Sequence, residues 1–187
     1  MVAFPDNPSR PGFRVYIKTV ERENDCGFPD DAFKLEVHTL AWGWNPGEKL
    51  AQLDFCSSYQ FFALVLADLT GDGIEEFILV TGKGRGTSAR EETLTVYRRN
   101  QERFEELLSV EVSGFFGVDT WNYKRVFVDV NGDGETDLRL IREHDPVRPE
   151  SVDDPSQIPV FAVKEYVYDR KSGKMVLYRE VKQPVTQ

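Results

Sequence analysis

The chain has 187 residues, of which 40% are apolar and 29% charged, and its net charge is −9. That length points to one domain, or at most two small ones, with a core large enough not to depend wholly on disulfides or metal. The acidic balance argues against nucleic acid and against anionic membrane surfaces as partners, and no apolar run is long enough for membrane insertion.

The opening, MVAFPDNPSRPGF, has no apolar h-region and predicts a flexible tail over residues 1–12, with any leader absent from this chain. Alternating apolar and polar residues then predict strands at 13–21, 33–42, 50–56, 61–68, 76–82, 92–99, 104–112, 124–130, 137–143, 160–169 and 174–181. Abundant Phe, Tyr and Val agree with that pattern. The segment FEELLSVEV (104–112) also fits a short helix, because Phe104, Leu107 and Leu108 fall at helical spacing. Hairpin turns are expected at 45–47, near Asn100 and at 171–173. Cys26 and Cys56 are two thiols or one disulfide; two cysteines alone do not decide between them. His38 lies in an alternating strand and is expected at a surface or cross-strand position.

A repeat runs through the second and third parts of the chain. Residues 68–76 read DLTGDGIEE, and sixty-one positions later residues 129–137 read DVNGDGETD. After each comes an apolar strand, then a loop, then a hairpin. The first part has a hairpin of the same kind without the acidic loop. We therefore expect a single β domain over 13–183, built of units 13–60, 61–120 and 121–183, the first lacking the loop. The expected fold is all-β, with repeated antiparallel blade-like units in a partial or small propeller-like array.

The loops carry a metal-binding pattern. Oxygen-bearing side chains stand at alternate positions: Asp68, Thr70, Asp72 and Glu76 in the first, and Asn131 among Asp129, Asp133 and Asp137 in the second. Ile74 and Glu135 occupy position 7, where a backbone carbonyl serves as ligand. Gly73 and Gly134 permit the tight turn. Calcium takes six to eight hard oxygens in flexible geometry and fits better than magnesium. The loops are not EF-hands, since the twelfth position is Leu79 or Leu140 inside a strand.

DLTGDGIEEFILV and DVNGDGETDLRLI resemble the calcium loops of FG-GAP repeats, as in the integrin alpha-chain propeller, and of the related bacterial VCBS repeats. The resemblance implies two Ca2+ sites and blade-like units, with the loop joining the first two strands of a blade. No Gly–Ala–Pro follows either calcium strand, and three units are too few to close a family-type ring.

Other features point to contact surfaces. Lys83, Arg85 and Arg90 gather positive charge around the Gly-rich stretch TGKGRGTS, which does not match a phosphate-binding loop. Trp42 and Trp44 flank Gly43 just before a turn, where they either pack beneath it or form a binding platform. Hydrolase motifs such as HExxH and G-x-S-x-G are absent. The expected function is a non-catalytic, calcium-stabilised domain, periplasmic or secreted, that recognises a protein or glycan partner through exposed loops. The alternatives are a periplasmic inhibitor or immunity-type protein blocking a hydrolase, and a carbohydrate-active hydrolase.

Overall fold

The structure is a computed structural model and describes residues 2–3, 13–20, 26, 31–40, 47–58, 62–84, 89–116, 119–143 and 160–184. Among them twelve strands form two antiparallel sheets, with no α-helix. The strands are β1 (Val2–Ala3), β2 (Phe13–Thr19), β3 (Asp31–Thr39), β4 (Lys49–Ser57), β5 (Phe62–Ala67), β6 (Glu76–Lys83), β7 (Ala89–Asn100), β8 (Arg103–Phe116), β9 (Asp119–Val128), β10 (Asp137–Glu143), β11 (Val160–Asp169) and β12 (Lys174–Pro184). Strands β1–β4 make a four-stranded sheet and β5–β12 an eight-stranded one, and every ladder joins neighbours in sequence. Val2 and Ala3, expected in a tail, pair with Val15 and Arg14 along the edge of β2.

The eight-stranded sheet folds over on itself. Strand β8 pairs with β7 along its whole length, but with β9 only from Ser113↔Asn122 to Phe116↔Asp119. Beyond that corner β8 and β9 part, and Lys174 at the start of β12 donates to the Glu106 carbonyl of β8. One core then fills the space between the halves. It gathers Ile78, Val80, Leu94, Val96, Leu107 and Val112 from β6–β8, and Tyr123, Leu138, Leu140, Ala162, Tyr166 and Met175 from β9–β12. A second core lies between the four-stranded sheet and the other face of β5–β8, with Val15, Phe33, Leu35, Val37, Ala51 and Phe55 packed against Phe77 and Leu79.

The result is three layers of four strands each, β1–β4, β5–β8 and β9–β12, with β5–β8 in the middle. The sequence of β6 records this position. Phe77, Ile78, Leu79 and Val80 are all at most 2% exposed, because both faces of a middle strand must be apolar. The matching strand β10 lies in an outer layer and alternates: Leu138 and Leu140 are fully buried, and Arg139 faces out. The described residues form no closed barrel or propeller; the second and third units are instead hydrogen-bonded edge to edge.

Each outer face is closed by a buried carboxylate on the third strand of its layer. On β11, Glu165 is 0% exposed and accepts from Arg139 Nε at 2.7 Å and Arg179 Nε at 2.6 Å, which hold its carboxyl below the usual range. On β3, Glu36 accepts from Lys18 and lies 3.2 Å from His38 Nε2, while His38 Nδ1 is 3.0 Å from the Gly47 carbonyl. His38 is thus buried rather than superficial, because Glu36 and the β3–β4 turn satisfy both ring nitrogens.

Two of the three expected hairpin turns fall where the sequence places them. Gln101 takes φ 56° just after Asn100, and Gly173 takes φ 67° with its amide on the Asp169 carbonyl. The third hairpin joins β3 to β4, but residues 41–46 lie outside the described residues. Cys26, in the β2–β3 connection, forms a disulfide with Cys56 on β4.

Candidate metal centre

Residues 68–75 join β5 to β6, and residues 129–136 join β9 to β10, so the two acidic loops sit at the same step of their layers. Three hydrogen bonds recur in both. The carboxylate at position 1 accepts the glycine amide at position 4, Gly71 to Asp68 at 2.9 Å and Gly132 to Asp129 at 2.6 Å. The carboxylate at position 5 accepts the amide at position 7, Ile74 to Asp72 at 2.7 Å and Glu135 to Asp133 at 2.8 Å. The carboxylate at position 9 reaches back to the amide at position 2, Leu69 to Glu76 at 2.7 Å and Val130 to Asp137 at 3.0 Å. A repeated sequence has become a repeated hydrogen-bond scheme, with both carboxylates at the loop's ends drawn inward.

Burial divides the ligand candidates. Glu76 is 0% and Asp137 2% exposed, whereas Asp72, Asn131 and Asp133 face solvent. Burial pushes the Glu76 carboxyl up to about 7; the Leu69 amide and Arg98 oppose the rise, and Asp72 and Asp68 add to it. Burial also raises Asp137, with the charges of Asp133, Asp129 and Glu135 acting in the same direction against the Val130 amide. Asp129 is held low by the amides of Gly134 and Gly132. At position 3, the buried Thr70 hydroxyl donates to Glu76 Oε1 at 3.3 Å, and the Asn131 side chain bonds to Asp133. At position 7, Ile74 is 45% exposed.

The two loops also meet, which the sequence did not foretell. A Cβ on Gly71 would lie 2.5 Å from the Glu135 carboxylate, so the position-7 side chain of the second loop rests on the first. Arg170, in the β11–β12 turn, donates to the same carboxylate. Arg98 is a second residue missed by sequence reasoning. Its Nε is 3.7 Å from Glu76 Oε1, and its guanidinium lies 4.8 Å from the centre of the Tyr168 ring. The signal for it was present, since Arg98 continues the core-facing series Leu94, Val96 on β7, and a cation on that face needs an anion beside it.

The donor set is all oxygen and largely anionic, which fits a hard cation such as calcium. Among the described residues, no group of three or more His, Cys, Asp or Glu side chains converges closely enough to hold a metal ion. The carboxylates are turned toward the loop's own amides, and holding calcium requires them to exchange some of those contacts for the metal. If bound, calcium would supply the positive charge that each loop lacks. Asp68, Asp72 and Glu76 with Thr70 would hold it in the first loop, and Asp129, Asp133 and Asp137 with Asn131 in the second.

The remaining candidates lie elsewhere. Lys83 is exposed at the end of β6, opposite Glu91. Arg90 forms an ion pair with Glu92 at 3.0 Å, so each of these basic side chains has an acid at hand. Arg85, Trp42 and Trp44 lie outside the described residues.

The chain matches no protein-family model, no curated protein and no solved structure.

Proposed function

We propose that the chain is a non-catalytic binding domain, assembled from blade-like repeats and stabilised by calcium in the loops 68–76 and 129–137. The observation that carries this reading is the pair of position-9 carboxylates. Glu76 and Asp137 are buried in loops rich in like charge, at equivalent places, each with an amide from position 2. Two such arrangements are costly as bare anions, and one cation per loop relieves the cost. The Cys26–Cys56 disulfide supports a periplasmic or secreted setting, where bonds of this kind persist and calcium is abundant. The metal's role is structural. It pins each loop and fixes where β6 and β10 enter their sheets, while protein or glycan partners are met at the surface.

Thermal melting with calcium and with chelator tests the reading, on the wild type and on Asp72→Ala and Asp133→Ala. At calcium a hundredfold above Kd each filled loop contributes about 2.7 kcal/mol. Each variant retains only part of the wild-type gain. Identical melting in calcium and chelator would overturn the proposal.

A further inference from the structure

Away from the acidic loops, a groove of about 460 Å³ opens where β8 and β9 part. Its walls come from four strands, β8 to β11. From Arg103 to Val112 the edge of β8 that faces β9 carries no ladder among the described residues, and Lys174 takes the Glu106 carbonyl within that stretch. Trp121 on β9 forms one wall. Its indole lies directly on Gly114, where a Cβ would come within 2.5 Å of Nε1, and it meets the Tyr123 ring edge-on at 5.9 Å. The bodies of Tyr123 and Tyr166 belong to the core, at 8% and 7% exposure, but their hydroxyls have no hydrogen-bond partner among the described residues. Arg142 and Lys164 complete the groove. Neither forms an ion pair among the described residues, and Lys164 Nζ lies 5.4 Å over the Tyr123 ring.

The groove sets two cations, Arg142 and Lys164, against one lining acid, Glu111, which is a local positive balance in a chain of net charge −9. They mark a subsite for a carboxylate or another anion. The tyrosine hydroxyls and Glu111 offer donors and acceptors for hydroxyl groups. The face of an indole takes the weakly positive C–H face of a sugar ring. These groups converge from four strands at different heights, which suits the radiating hydroxyls of a pyranose better than the regular repeat of an added β-strand. We propose that the groove binds an acidic saccharide, with the sugar ring against Trp121 and its carboxylate between Arg142 and Lys164. The inference rests on the reading of the chain as a binding domain, and it is independent of calcium.

The test is calorimetric titration of the full chain with tetragalacturonate, with neutral cellotetraose and with a poly-glutamate peptide, each in calcium and in chelator. Tetragalacturonate is expected to bind saturably in both conditions, and at least tenfold more tightly than the neutral sugar. Arg142→Gln and Lys164→Gln each weaken it about tenfold, the loss of one charge-assisted hydrogen bond. Trp121→Phe weakens both saccharides. Wild-type melting temperatures establish that the variants are folded, and Lys164→Gln decides if Arg142→Gln is not. The proposal fails if neither saccharide binds, if poly-glutamate binds equally well, or if the folded variants bind like the wild type. Melting of the same samples in calcium and chelator reports separately on the metal reading.

Discussion

Glu76 and Asp137 are carboxylates placed where a bare charge is unfavourable, and this has a consequence for pH. The folded-state carboxyl of Glu76 is raised from an ordinary 4.5 to about 7. Across that window the folded chain keeps a proton that the unfolded chain has released, so metal-free stability falls as pH rises. Above the window the loss is complete, at about 3 kcal/mol. Asp137 shifts in the same direction and steepens the decline. Urea denaturation of chelated protein from pH 5 to 8 should show falling stability, and Glu76→Gln should flatten the profile. Parallel profiles for wild type and variant would contradict the assignment. On the proposed calcium reading, the gain from the metal should grow over the same range, since the metal takes the ionised form.

At the scale of elements, the contact between the two loops can be tested by glycine substitution. Gly71 and Gly132 occupy the same position 4, with φ of 65° and 82°. A Cβ on Gly132 meets nothing within 4 Å, so Gly132→Ala costs only the left-handed backbone, about 1–2 kcal/mol. A Cβ on Gly71 strikes the Glu135 side chain, so Gly71→Ala should cost more. Adding Glu135→Ala should recover the difference, measured as a coupling energy in a double-mutant cycle. Additive losses would mean that the loops are independent.

The same elements show what the sequence could and could not convey. Alternation located the strands because half-buried faces impose it, and the unbroken FILV of β6 follows from burial on both sides. The helical spacing of Phe104, Leu107 and Leu108 was misleading for a definite reason. The register shifts between Val96↔Leu108 and Tyr97↔Glu106, so Leu107 is the extra residue of a bulge. It joins the core with its neighbour Leu108 packed against that core, while Phe104 packs on the opposite side. The acidic loops were legible as a repeated spacing of oxygen atoms. Their contact through Glu135 was not, because it depends on how the eight-stranded sheet folds at the β8–β9 corner. Nor could the groove be read, since Trp121, Arg142 and Lys164 come together only when three strands are laid side by side.

At the scale of the whole molecule, the three layers do not depend equally on one another. The middle layer has core on both faces, whereas β1–β4 has core on one and is tied by the disulfide. The bridge joins residues 30 apart in sequence, and closing a loop of that size contributes about 3–4 kcal/mol through the unfolded state. Cys56→Ser should lower stability by about that amount, with amide exchange rising first in β2–β4 and last in β6. Uniform acceleration across all three layers would mean that they unfold only as one.

Because each ladder joins only neighbours in sequence, a strand emerging from a ribosome or a secretion channel finds its partner already made. Little chain must be held open awaiting a distant segment, so the search that slows many β proteins is shortened here. The chain can grow as a ribbon that adds one strand at a time, and the fold at Ser113 then brings the third layer down upon the second.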